Sequence, residues 1–350
     1  MNKREKPDYC SVGGQGVIEG VMMKSPTHSA LAVRKEDGSI TTKEWDNKIR
    51  KSKIAKWPVI RGVVNFVDTM IMGVGTITDA AKMLDEANAD DYEPNRFEKF
   101  VAKKTGKSAM DVMMVFAVIV ALALAVGLFF ILPTFLTGLV KGSITSPLLL
   151  NLIDGLVRLG IFLAYMILVG QMKDIKRVFM YHGAEHKTIA CYEAGKPLTP
   201  ENAKTFRRFH PRCGTSYLLL VMMIAIIVYA FLGWTDNVLL RFGTRILLLP
   251  LIAGVSYEIL KLVAKYDGWF FRAIRWPGLQ LQRLTTKEPD ESMLEVAIVA
   301  FEMALGEKSR DDIEAMLEQY DRSEKTEEPP ESAEAGEEKG TESGTTAETA

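Results

Sequence analysis

The stretch YHGAEHKTIACYEAG, residues 181–195, sets His182 and His186 four apart with Glu185 beside the second histidine. On a helix, side chains at i and i+4 leave the same face, so two imidazoles in this spacing can reach one metal ion. His-x-x-Glu-His is the reversed form of the His-Glu-x-x-His signature, whose glutamate acts as general base on a metal-bound water, and Glu185 is therefore the candidate catalytic residue. Such a short motif recurs by chance. What strengthens it here is concentration: three of the chain's four histidines, His182, His186 and His210, fall in one short segment, and HPRCG adds Cys213 three residues after His210.

Two metal shells are compatible with these residues. Zinc held by His182, His186, His210 and Cys213 would be four-coordinate and closed, the pattern of a structural site. Zinc held by the two helix histidines and one further residue, Glu258 or His210, would keep a position open for water, with Glu185 placed to take its proton. In a third reading, His182 and His186 are hydrogen-bonded residues on a partly buried helix face. Glu258 enters because it lies in AGVSYEILKLVAK, in the last part of an apolar run, where an ionisable group is costly and needs a partner, either metal or base. Lys261 is the nearest such base in sequence. Asp154 and Arg158, also four apart in an apolar run, read as an ion pair.

The elements that must position these residues are membrane helices. Apolar runs at Val112–Leu132, Leu152–Val169, Tyr217–Phe231 and Ile246–Val263 approach the roughly 20 residues needed to cross a bilayer. Lysines and arginines gather before the first run and between the second and third, while the two intervening hairpins are nearly free of them. That bias places both termini and the histidine loop in the cytoplasm of a multi-pass membrane protein. Because the basic residues serve topology, the net charge of −1 says nothing about partners. The bilayer itself and a membrane protein are the partners expected, nucleic acid is not, and no oligomeric state follows. No apolar run follows the basic residues at 3–6, so a cleaved signal peptide is not expected. The three cysteines fall on the reducing side, where metal or burial is expected before a disulfide.

The expected fold class is a mainly α membrane protein with about four transmembrane helices, a small α+β N-terminal region with a β-hairpin, amphipathic C-terminal helices and a disordered acidic tail. The segments are residues 8–110, cytoplasmic; 111–264, the helices with the metal-site loop 172–216; 265–321, the C-terminal helices; and 322–350, the tail. SALAVRKEDGSITT supplies the hairpin around a Glu-Asp-Gly turn. RGVVNFVDTMIMGVGTITDAAKML has helical periodicity but is too polar to span. The second membrane helix is expected to run on past Gln171 as one stripe carrying Ile175, Val178, His182, Glu185, His186 and Ile189, ending at Gly195 and Pro197. LTPENAKTFRRF reads as a short helix capped by Thr199. Around residue 291 a helix with an apolar face at Met293, Leu294, Ala297, Ile298 and Phe301 stops near Gly306. VGGQGVIEGVMMKSP lacks the residues of a phosphate loop or dinucleotide turn and reads as a tight glycine turn, offering Gln15 and Glu19 for polar contacts or a close backbone approach.

Five segments, GGQGVIEGVMMKSP, YHGAEHKTIACYEAG, HPRCGTSYLLL, PLIAGVSYEILK and PGLQLQRLTTKEPDESMLEVAI, together resemble the YqhQ family of bacterial membrane proteins over roughly residues 10–306. That family has no defined activity and is catalogued as predicted metal-dependent enzymes. The resemblance implies a metal role for His182, Glu185, His186, His210 and Cys213. From the residues follow two functional classes: a zinc-dependent hydrolase acting on a peptide or lipid-linked bond at the membrane face, and a scaffold or assembly factor stapled by zinc. A metal transporter is disfavoured, since no paired carboxylates or histidines line the apolar runs.

Overall fold

The computed structural model describes residues 12–47, 54–85, 109–235, 237–266 and 268–322. The expected tail, from 323 on, and residues 86–108 of the N-terminal region lie outside the described residues.

The glycine-rich segment is a strand pair rather than a turn alone. Strands β1 (Gly13–Val17) and β2 (Gly20–Lys24) close on Ile18-Glu19, and β3 (His28–Arg34) and β4 (Ile40–Asp46) form the expected hairpin, giving an antiparallel meander in the order β1-β2-β3-β4. A two-residue connection favours positive φ, and Glu19 adopts φ 50°. Alternation then sorts the sheet's faces. Val21, Met23, Ala30 and Ala32 point one way into the main core; Val17, Met22, Leu31 and Val33 point the other way, onto Met72, Ala80 and Met83.

Those last residues belong to α1 (Ile60–Asp85), whose first turn packs instead on α8 (Val238–Lys265). There Gly62 and Gly254 let two backbones meet: a Cβ on Gly254 would stand 2.5 Å from the Val59 carbonyl oxygen. By length and composition Ile60–Leu84 is apolar enough to cross a membrane, which corrects the expectation that it is too polar.

The apolar helices come next. Helix α2 (Ala109–Val126) passes through a π-helical turn at Gly127–Ile131 into α3 (Leu132–Val140), one near-continuous rod. It pairs with α4 (Pro147–Val169), which Ser146 caps by accepting from the Leu149 N–H. Helix α7 (Gly214–Ala230), at 17 residues, is shorter than the others and packs on α4 and α8. Among the described residues four helices, α1 included, are thus long and apolar enough to span by length and composition, and α7 is a shorter apolar helix.

The histidine helix does not continue the second span. The Gly170 N–H closes α4 on the Met166 carbonyl at 3.0 Å, Met172 turns extended, and α5 (Lys173–Glu193) starts anew. Its last three turns are buried on nearly every side, from Tyr181 to Cys191. A helix buried all round sits at a centre, and α5 is covered by the sheet, by α6 (Pro200–Lys204), by the end of α9 (Trp269–Thr285) and by α10 (Glu291–Leu305). Helix α10 was expected to be amphipathic, yet Met293 to Phe301 are all buried, because the sheet covers the side away from α5. Its Glu295 is neutralised by Arg34 of β3 at 2.7 Å and by Arg322 at 2.5 Å. Helix α11 (Arg310–Tyr320) opens with a capping box between Ser309 and Asp312. N- and C-terminal segments therefore share one core.

Gly254→Ala should force α1 off α8 and cost about 1–3 kcal/mol, as overpacking does. Gly243→Ala on the same helix meets nothing within 4 Å and should be neutral or stabilising. Thermal unfolding in detergent, followed by circular dichroism, compares the two.

Candidate metal centre

The buried end of α5 carries His182, Glu185 and His186 on one face, with the imidazole centroids 4.5 Å apart. Each ring is fixed from behind. His182 Nδ1 lies 2.8 Å from the Thr285 carbonyl oxygen at the end of α9, and His186 Nδ1 lies 2.6 Å from the Arg208 carbonyl oxygen. A carbonyl only accepts, so Nδ1 carries a proton in both rings and Nε2 points forward, free to ligate once any proton on it is given up, the orientation that metal-binding histidines need. Cys213 completes the set at the N-cap of α7, with its sulfur 3.2 Å from His182 Nε2. The ligand atoms of His182, His186 and Cys213 lie within 4.8 Å of one another. Tetrahedral zinc would hold such atoms roughly 3.5 Å apart.

Two further buried atoms bear on what this group can hold. His186 Nε2 has no hydrogen-bond partner, and neither has Glu185 Oε2. Glu185 is held by its other oxygen, which accepts the Gly14 N–H at 3.0 Å, leaving Oε2 3.9 Å from His182 Nε2. Two nitrogens, one sulfur and an adjacent carboxylate suit zinc, and the orphaned His186 Nε2 offers a buried lone pair that accepts no hydrogen bond. His182, His186 and Cys213 could hold the ion, and Glu185 would flank a fourth position.

This is neither of the two shells weighed from sequence. His210 stands beside the group, its ring centroid 5.6 Å from that of His186, but its Nε2 turns to Glu193 at 3.7 Å, and Arg212 pairs with the same carboxylate. Glu258 is placed elsewhere. Arg61 of α1 takes both its oxygens, with Nε to Oε1 at 2.7 Å, and the Val59 N–H adds a third bond at 3.2 Å. The carboxylate has its direct counter-ion from α1, with Lys261 adding a weaker pull, and this corrects its assignment as a ligand. Cys191 faces the Pro197 carbonyl, away from the site.

Sequence reasoning missed the residues that hold the site from outside. Gln282 of α9 accepts the His210 N–H at 2.8 Å and donates to both the His210 carbonyl and Ser216 Oγ at 2.8 Å, so one side chain pins the turn that delivers Cys213. A lone glutamine in an amphipathic helix gives little warning of that role. On the other side β1 lies against α5: a Cβ on Gly16 would stand 2.6 Å from the backbone nitrogen of His182. The glycines thus serve close approach, and Glu19 ties β1 to Arg177 of α5.

The charges are coupled. Burial opposes ionisation of Cys213, but His182 and His186 overcome it and hold the thiol well below its ordinary pKa. Burial likewise disfavours a charged His182, and the Cys213 thiolate outweighs it, pushing the imidazole up to about 9. Glu185 is pushed up by burial against the opposing pull of both histidines.

Among the described residues, four helices apolar enough to cross a membrane, with a buried donor set beside them, describe a helical protein of membrane type carrying a candidate metal centre. The chain matches the family model described as "Protein of unknown function (DUF1385)" over residues 57–307, and it belongs to that family. It is 33% identical over 306 residues to "Uncharacterized protein YqhQ" of Bacillus subtilis (strain 168), covering 86% of this chain and 93% of the relative. No solved structure matches.

In metal-free protein at neutral pH, below the raised pKa of His182, Cys213 should be a thiolate. Its ultraviolet absorbance should be present in wild type and lost in His182→Ala. A thiol protonated in both would refute the pairing.

Proposed function

We propose that the chain is a zinc-dependent hydrolase of the bacterial cell membrane, acting at the cytoplasmic face on a peptide or lipid-linked bond. The observation that carries this reading is the Glu185 carboxylate: one oxygen fixed by the Gly14 N–H, the other buried without a partner beside three converging ligand atoms. Zinc, when bound by His182, His186 and Cys213, supplies a polarised carbonyl and a water acidic enough to lose a proton near neutral pH. Glu185 Oε2 is placed to accept that proton, and its raised pKa, a consequence of burial, suits a group that must later give the proton to a leaving group. Thr285 and Arg208 keep the imidazoles in the ligating tautomer throughout. The bias of basic residues toward one side supports placing the site and both termini in the cytoplasm.

A second reading rests on burial. Glu185, His186 and Cys213 are each less than a tenth exposed, and a donor set so covered also suits a closed staple that fixes a scaffold for a membrane partner.

Elemental analysis of detergent-purified protein should find about one zinc per chain, lost in His182→Ala, His186→Ala and Cys213→Ala and kept in Glu258→Gln. Glu185→Gln should keep the metal yet lower turnover of peptide or lipid-linked substrates by about 10²-fold or more and fail to complement a null strain. Full complementation by Glu185→Gln, with loss in the ligand variants, would establish the staple instead. Wild type that binds no zinc when offered it would overturn both.

A further inference from the structure

At the other end of the bundle, an ion cluster and a cavity lie together. Asp154 and Arg245 each lie seven residues into their helices, about 10 Å from the hairpins that open α4 and α8. Asp154 accepts from Arg158 at 3.1 Å and from Arg245 at 2.8 Å, and all three side chains are largely or wholly buried. The second contact of Arg245 is the neutral Asn151 side-chain oxygen at 3.4 Å, and Arg158 Nε, also buried, has no partner. Two guanidinium charges thus share one carboxylate among apolar helices, which leaves a net positive charge where an unbalanced ion is expensive.

That charge faces a cavity of about 230 Å³. Arg245 and Arg241, one turn apart on α8, form its polar wall, and Arg241 is stacked 4.1 Å from the Trp234 ring. Phe130 and Ile131 of the π-helical turn stand opposite, and Val238 and Leu239 border it. A π-turn inside an α-helix often marks a functional position. Here it carries the apolar wall that faces the arginines.

We infer that this cavity binds an anionic lipid, with the headgroup phosphate on Arg245 and Arg241 and the acyl chains along Phe130, Ile131 and Leu239. A guanidinium pair matches phosphate oxygens in bidentate geometry, and the anion offsets the surplus positive charge of Arg158 and Arg245 over Asp154. Ile131 and Leu239 are strongly exposed, so chains leaving the cavity pass directly onto the apolar surface. The inference is independent of the hydrolase reading, because the cavity shares no residue with the histidine centre.

Trp234 is a built-in reporter. Purified full-length protein in an uncharged detergent is titrated with short-chain phosphatidylglycerol, with phosphatidylcholine of the same chains, and with inorganic phosphate. Fluorescence is compared with that of Trp234→Phe. Phosphatidylglycerol should give a saturable response absent from Trp234→Phe, and the other two probes should give none. Arg241→Gln should weaken binding about tenfold, the scale of one charged hydrogen bond. Asn151→Asp, which gives Arg245 a second carboxylate while sparing both arginines, should weaken it comparably; unchanged elution and unfolding temperature show that each variant folds. An equal response to phosphatidylcholine would reduce the cavity to an apolar cleft. A response to phosphate alone would make the ligand a free anion and overturn the lipid. Undiminished binding in Asn151→Asp would overturn the charge argument.

Discussion

Two hydrogen bonds to backbone carbonyls, from His182 to Thr285 and from His186 to Arg208, hold the rest of the site in its present form. Each fixes a tautomer, and each ties α5 to a segment remote in sequence. Thr285 offers a carbonyl because it ends α9, where the last turn has no further helical N–H to take it. Arg208 offers one because the loop after α6 is irregular. The site thus uses backbone acceptors left over by local structure, and those acceptors are in place only if α9 ends where it does and Gln282 holds the loop.

Much of the site was legible because it is local. The i, i+4 spacing of His182 and His186, the adjacent Glu185 and the nearness of Cys213 to His210 are properties of one stretch of chain. Choosing between His210 and Cys213 was not possible from spacing, since both arrive on the same turn and its direction is set by Gln282. Glu258 in an apolar run needs a partner, and that partner, Arg61, lies almost two hundred residues upstream.

The fold was legible in its apolar runs, capping residues and one hairpin. Three misreadings share a cause. The continuous stripe from α4 into α5, the one-sided burial of α10 and the glycine turn at β1 were each inferred from local pattern, whereas neighbours decide them. Helix α10 is covered on one side by α5 and on the other by strands from the far end of the chain, and the β1 glycines are explained by a helix some 165 residues away.

The shared core also orders events in time. The face of the sheet formed by Val21, Met23, Ala30 and Ala32 is made within the first tenth of the chain, and its cover, α10, is made after all the apolar helices. During synthesis the four strands must therefore wait, with one greasy face unmet, while the apolar helices are made. Thr285 and Gln282 emerge just before α10, so the histidine centre and the sheet are completed together. A truncated chain would lack both, and an exposed strand meander is the kind of surface that quality-control proteases and chaperones recognise.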